Sequence, residues 1–350
     1  MLKDAVMYME MNNFEQGPIR PPAEADSLLI RTTRGCPWNR CHFCTLFKGM
    51  RFSIRSVAEI KKDISSARLH YNGASFETCF LQDGDSFAMK TKDLIEVLTS
   101  LREAFPSLKR ISSYGRAQTM MRKSESEIQE ISDAGLNMLY CGIESGSDKV
   151  LETVNKGVTQ DAIIQSALRA RGAGMSLMVF VILGLGGKEL SGQHVTETAH
   201  VLNTINPNSI RMMSLAVKED TELFQKIEKG RFTMLSETEM IQEQRQLIDK
   251  LEGIHSHYGN CHGINLLTEI DGVLPDDKIK VLSIIDSFLS LSVPLQLNFI
   301  LGRRLGYYGG LAGFQKSSAF NSVQQQVAKI QRENPESIET TFHDLRNRII

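Results

Sequence analysis

The sequence is poor in several things at once. It has one tryptophan, six cysteines and nine prolines in 350 residues, and its 40 basic residues face 41 acidic ones. So few cysteines exclude a disulfide-built scaffold. The even charge excludes a global field that would gather phosphate backbones or anionic lipid, leaving only a local patch open. No apolar run is long enough to span a bilayer; the longest, Met175 to Gly187, stops well short and is broken by glycines. Residues 1–16 carry Asp4, Glu10 and Glu15 without the basic-then-apolar layout of a secretory signal, so the expected compartment is the cytoplasm, with no membrane partner. What is present, 41% hydrophobic and 23% charged residues, is the composition of a folded globular enzyme rather than a disordered chain.

Apolar runs alternate with amphipathic segments. Strands are expected at Ser27–Thr33, Glu77–Gln82, Arg110–Tyr114, Met138–Ile143, Leu177–Leu183 and Ser209–Ser214. Helices are expected at Ser56–Tyr71, where Ser56 and Glu59 have capping-box spacing, and at Thr91–Ala104, Ser124–Ala134, Thr159–Gly172, Ser191–Ile205 and Thr221–Lys229. Six βα units with strands apolar on both faces predict an α/β fold, a partial (β/α)6 TIM-type barrel whose strand exits converge on one mouth. Amphipathic helices at Ser236–Gly253, Pro275–Leu291 and Ala319–Arg332 predict a C-terminal, mainly helical domain. The expected organisation is an extension over 1–26, the core over 27–230 and a cap or substrate region over 231–350. The glycine-rich stretch Leu301–Phe314 reads as a loop or turn with no assigned role.

Three of the six cysteines fall within nine residues, Cys36, Cys41 and Cys44, directly after the first strand in a C-x4-C-x2-C loop. Structural cysteines are scattered small hydrophobes, as Cys79 and Cys141 are within strand runs; a trio on one loop points to metal. A structural zinc would need a fourth ligand, for which His42 is at hand. A [4Fe–4S] cluster accepts three protein thiolates if something else ligates the fourth iron, and such clusters reach strongly reducing potentials.

With that loop the chain resembles the radical SAM superfamily. There, three cysteines after the first barrel strand bind a [4Fe–4S] cluster whose fourth iron takes S-adenosylmethionine, and reductive cleavage gives a 5′-deoxyadenosyl radical. The usual spacing is C-x3-C-x2-C; here Pro37–Arg40 lengthen the first gap. The resemblance implies that Phe43, before the last cysteine, packs near the adenine. Gln82-Asp83-Gly84-Asp85-Ser86 lies where the family receives the methionine amino group, which makes Gly84 and Asp85 candidates; Asp85 and Ser86 also read as caps of a β-to-α turn. Cys141-Gly142-Ile143-Glu144-Ser145-Gly146-Ser147, followed by Lys156, resembles the fourth-strand exit of the coproporphyrinogen-dehydrogenase-like and Elongator-like branches. Glu144 then addresses the ribose, with Ser145 beside it, and Lys156 the methionine carboxylate; the other reading makes Glu144 and Lys156 solvated helix-end charges. Ser113 and Tyr114 end the third strand, and Leu183 with Gly184 opens the fifth exit, where a glycine allows the backbone to approach adenine. The opening Gly17–Pro22 and the tail His262–Leu267 look like features of an uncharacterised coproporphyrinogen-oxidase-like group, with His262 a candidate substrate contact.

These residues imply an oxygen-sensitive enzyme that abstracts hydrogen from a small-molecule or peptide substrate and draws electrons from a flavodoxin or ferredoxin. No side chain is assigned to catalysis itself. The other readings are a non-catalytic zinc or iron–sulfur binding module, and a radical SAM enzyme modifying a peptide or RNA, with RNA disfavoured by the neutral charge. No Asp-x-His-x-x-Gly signature is present, and with only 26 residues before the first strand no N-terminal cobalamin-binding domain is expected.

Overall fold

The structure, a computed structural model of the chain, describes residues 14–333 and 337–349. The reading of residues 1–16 therefore lies, but for the last three, outside the described residues. The strands are β1 (Leu28–Arg31), β2 (Thr33–Arg34), β3 (Ser53–Ile54), β4 (Thr78–Gln82), β5 (Arg110–Tyr114), β6 (Leu136–Glu144), β7 (Ser176–Leu183), β8 (Ser209–Ser214), β9 (Ser256–Gly259) and β10 (Asp271–Leu274). The helices are α1 (Val57–His70), α2 (Thr91–Ala104), α3 (Ala117–Met120), α4 (Glu125–Asp133), α5 (Asp148–Thr153), α6 (Gln160–Gly172) and α7 (Gly187–Ile205). They continue with α8 (Glu222–Glu228), α9 (Glu237–Asp249), α10 (Lys278–Leu289), α11 (Val293–Arg304), α12 (Phe320–Glu333) and α13 (Ser337–Asn347).

Eight strands pair in the order β1-β4-β5-β6-β7-β8-β9-β10, and β2 with β3 forms a separate ribbon. The pairs β1/β4, β4/β5, β5/β6 and β8/β9 are parallel and β9/β10 is antiparallel. The fold is mixed α/β, and the six expected strands each have a counterpart. Two further strands, β9 and β10, come from the region expected to be mainly helical. Among the described residues no single helix is long and apolar enough to cross a membrane.

By contact density the chain divides into two units. The first takes in residues up to Asn39, Leu46–Gly142 and Asp161–Met178; the second takes in Arg40–Thr45, Ile143–Gln160 and everything from Val179 onward. Within the first, local chemistry sets the helix starts. Ser56 and Glu59 close a capping box on α1, and Ser124 and Glu127 close another on α4, each satisfying orphan amide donors. Leu28, Ile30, Phe80, Leu81 and Ile111 are fully buried. The Pro22–Glu24 turn inserts a fully buried carboxylate: Glu24 accepts hydrogen bonds from Ser112 Oγ (2.8 Å), Tyr140 OH (2.5 Å) and Arg110 Nη2 (3.0 Å). The side chain of Gln82 ties the opening segment to β4, accepting from the Gly17 amide at 2.9 Å and donating to the Ile19 carbonyl at 2.9 Å.

Within the second unit, Val179, Val181, Leu202, Ile205, Ile210 and Met212 are buried. α9 begins with a third capping box, Ser236 with Glu239.

Candidate active site

The start of the cysteine loop is fixed in the first unit by the β4 exit. Asp83 is fully buried; its Oδ2 accepts from Arg31 Nη2 at 2.5 Å and from the Gly35 amide at 3.0 Å, one residue before Cys36. The Gly84 amide in turn donates to the Gly35 carbonyl at 3.2 Å. A Cβ at Gly84 would sit 2.9 Å from that carbonyl oxygen and 3.2 Å from Cys36 Cα, so glycine is required by close approach of the two loops. Arg116, after β5, brings Nη1 to 3.8 Å from Cys36 Sγ, a donor aimed at the sulfur.

The neighbouring candidates of this unit turn inward. Asp85 is fully buried, caps the Ser86–Ala88 turn through the Phe87 amide at 3.1 Å and takes the Thr119 hydroxyl on its other oxygen. The structure thus gives it the capping role. Burial pushes its carboxyl up to about 7, against the pull of Thr119 and Arg116. Ser113 is buried and bonds Ser86 Oγ at 2.7 Å, while Tyr114 packs edge-on against Phe80 and Tyr140.

The Cys41–Cys44 turn belongs to the second unit. The His42 backbone is tied to the Val154 carbonyl (2.9 Å) and the Leu223 amide (3.0 Å). Its ring places Nδ1 3.1 Å from the Thr153 carbonyl and Nε2 2.8 Å from the Glu222 carboxylate. Both ring nitrogens are thus engaged by oxygens of the second unit, Thr153 on one side and Glu222 on the other. Phe43 packs on the apolar cluster of Val150, Val154, Leu185, Leu215, Val217, Leu223 and Phe232.

The exits of β6 and β7 lie in the same unit. Glu144 holds φ +63°, a left-handed backbone uncommon outside glycine and concentrated at functional sites. It receives Lys156 Nζ at 2.7 Å, and both side chains are largely shielded. They are a buried pair, not solvated helix-end charges. Ser145 is buried with its Oγ 2.8 Å from His194 Nδ1, and the Gly146 amide donates to Thr198 Oγ1 at 2.9 Å. Leu183 is buried, and Gly184, at φ +80°, donates its amide to Glu243 Oε1 at 2.6 Å. His262 accepts the Ile264 amide at 3.3 Å and is held below its ordinary range by burial and by Arg211, whose Nη1 lies 2.8 Å from Cys261 Sγ.

These local geometries are what a family assignment must fit. Residues 30–202 match the Radical SAM superfamily. The chain carries a radical SAM domain. Enzymes of this superfamily use a [4Fe–4S] cluster and S-adenosylmethionine, the two cofactors of the domain. An uncharacterised methyltransferase of Pyrococcus horikoshii is 30% identical over 158 residues, 45% of this chain and 32% of that protein. The heme chaperone of Bacillus subtilis is 19% identical over 226 residues, 62% of this chain and 58% of that protein. The solved structure of coproporphyrinogen III oxidase from Escherichia coli, described as a radical SAM enzyme, aligns with TM-score 0.50 and 15% identity over 70% of this chain and 54% of that one, which speaks to the fold alone. The chain spans about a third of the length of the methyltransferase it matches.

The donor set of the radical SAM domain suits a cluster with three protein thiolates. Cys36, Cys41 and Cys44 are partly exposed, Cys79 and Cys141 are buried, and no disulfide joins any of the six. Cys36 lies in the first unit and Cys41 and Cys44 in the second. Among the described residues no group of three or more His, Cys, Asp or Glu that could hold a metal ion is found. Sequence reasoning missed Asp83 as the anchor of the loop, and missed His194 and Glu243. A signal for His194 was available: Ser191, His194 and Thr198 recur at spacings of three and four on one helix, the face that carries Val195 and Leu202 into the core.

Proposed function

We propose that the chain is a radical SAM enzyme in which Cys36, Cys41 and Cys44 hold the [4Fe–4S] cluster and that its reaction begins with hydrogen abstraction from a small-molecule or peptide substrate. When bound, the cluster supplies the electron that cleaves S-adenosylmethionine to methionine and a 5′-deoxyadenosyl radical. The observation that carries this reading is the thiol trio: Cys36, Cys41 and Cys44 are free and partly exposed on one loop, while the ring of the intervening His42 is engaged by Thr153 and Glu222, as a cluster held by three protein thiolates requires.

The remaining work falls to the chain's own residues. Asp83 and Gly84 fix the entry of the loop. Lys156 is the candidate for the methionine carboxylate, as a point charge, and Glu144 for the ribose hydroxyls; with neither present they satisfy each other at 2.7 Å. Binding then exchanges one shielded ion pair for two polar contacts, so neither group is left uncompensated. Phe43, seated on an apolar cluster, offers a flat contact for adenine, and Gly184 lets the backbone come close. Electrons come from a flavodoxin- or ferredoxin-type donor.

Anaerobic reconstitution tests the reading. Wild type is expected to bind iron and sulfide, to absorb broadly in the visible, and to release 5′-deoxyadenosine from S-adenosylmethionine with dithionite; Cys41→Ala should lose both properties. A fully loaded cluster that never cleaves S-adenosylmethionine, or stoichiometric zinc without iron after anaerobic purification, overturns it.

A further inference from the structure

Two exits proposed to hold S-adenosylmethionine, those of β6 and β7, are joined by side chains that no motif contains. His194 sits on α7 with no measurable exposure. Its Nδ1 is 2.8 Å from Ser145 Oγ, and that oxygen also accepts the Ser147 amide at 3.0 Å. Nδ1 faces two hydroxyls, Ser145 Oγ and, at 3.4 Å, Thr198 Oγ1, either of which can donate to it, and we assign the ring proton to Nε2 on that basis. Burial lowers the His194 pKa against the opposing pull of Glu243 and of the Ile182 carbonyl, in keeping with a neutral ring. Nε2 is buried, faces the Ile182 carbonyl without completing a hydrogen bond of good geometry, and lies 3.9 Å from Glu243 Oε1. Glu243 is almost fully buried and accepts from the Gly184 amide at 2.6 Å and from the Ser191 hydroxyl.

A buried donor whose hydrogen bond is incomplete is costly unless the site can close around it. Here the nearest carboxylate stands about half an ångström beyond bonding range, and it is the carboxylate that grips Gly184. Any shift of the β7 exit that draws Glu243 inward satisfies Nε2, and any shift of Ser145 moves the ring. Gly146 leaves the β6 exit little freedom to move independently, because it packs so closely on α7 that a Cβ there would fall onto the Glu197 carbonyl oxygen.

We propose that His194 is a positioning residue which, through Glu243, couples the Ser145–Ser147 exit to the Gly184 exit and so sets how tightly the chain holds S-adenosylmethionine. The role in cofactor binding rests on the function proposed above; the coupling itself does not. His194→Asn keeps an acceptor near the place of Nδ1 but ends short of Glu243, and Glu243→Gln keeps an acceptor for Gly184 without the charge.

The test is hydrogen exchange on the full chain without cluster or cofactor, followed by S-adenosylmethionine binding to the reconstituted protein. In each variant, exchange is expected to rise several-fold in both the 143–147 and 183–191 peptides. The dissociation constant for S-adenosylmethionine should rise about tenfold, KM should rise more than kcat falls, and the double variant should be no worse than the worse single one. If His194→Asn does not fold, Ser145→Ala, which breaks the same chain one link earlier, should loosen the Gly184 peptide. Faster exchange confined to the helix around residue 194 with unchanged cofactor affinity, or strictly additive effects, overturns the proposal. Because exchange is read without cofactor, its failure is distinct from a failure of the protein to cleave S-adenosylmethionine.

Discussion

At the scale of single residues, the most informative group is Asp85. The Thr119 hydroxyl faces two acceptors, the Asp85 carboxyl and the Arg116 carbonyl at 2.9 Å, yet has one hydrogen to give. A proton on Asp85 resolves the conflict: Thr119 then donates to Arg116 and receives from Asp85. Burial raises the carboxyl in the same sense, to about 7 from an ordinary 3.8. The folded chain therefore keeps this proton across a window in which the unfolded chain has released it, and stability falls as pH rises through that window. Asp85→Asn can make the same contacts without titrating, with the amide donating to Thr119 and the carbonyl accepting from Phe87. Melting curves at several pH values should show wild type losing ground to Asp85→Asn between roughly pH 4 and pH 7. A difference between the two proteins that does not change with pH would refute the assignment.

At the scale of elements, loop geometry is set by backbone approach. Gly84→Ala places a methyl group 2.9 Å from the Gly35 carbonyl and 3.2 Å from Cys36 Cα, so the entry of the cysteine loop must move. Overpacking of this kind costs about 1–3 kcal/mol, which leaves a folded protein; the expected result is less than half the wild-type iron after identical reconstitution, read by metal analysis. Full iron loading would show that the β4 exit does not position Cys36. Much at this scale was legible beforehand. β5, β8 and α2 have the ends that periodicity predicted, because a two- or 3.6-residue period is a local signal. β9 and β10 were not legible: four residues each, carrying His257 and Gly272, show no period, and β9 exists through its pairing with the distant β8. α11 hid behind Pro294 in its first turn and Gly302 near its end, both of which read as breakers. The site divides in the same way. Three cysteines on one loop stand out by spacing, whereas the burial of Asp85 was not legible, because a polar strand exit has the same composition whether it faces outward or into the core.

At the scale of the whole chain, buried charges tie together segments distant in sequence. Glu237, at the start of α9, accepts Arg304 Nη2 from α11 at 2.7 Å and Arg346 Nη1 from α13 at 2.8 Å, with all three side chains at most 1% exposed. Burial alone would raise the Glu237 carboxyl, but Arg346 and Arg304 outweigh it and hold it below the ordinary range, so its contribution is present at neutral pH and is lost as acid protonates it. Arg304 also donates to the Ile264 carbonyl at 2.7 Å, while Arg346 keeps Nε and Nη2 buried and without partners. The same C-terminal helix supplies Asn347, whose Oδ1 accepts the Val217 amide at 2.9 Å just past β8. A buried charged triad is weak evidence of net stabilisation, since desolvating three charges offsets most of their attraction, but it is fragile to partial removal. Arg346→Met leaves Glu237 with one guanidinium in a dry site and should cost about 3–5 kcal/mol in urea unfolding, with faster proteolysis of α13. The triple variant Glu237→Met, Arg304→Met, Arg346→Met removes every charge at once and should be more stable than Arg346→Met alone. If the triple variant is the less stable of the two, the attraction among the three side chains exceeds what their burial costs, and the triad itself is what holds α13 to α9 and α11.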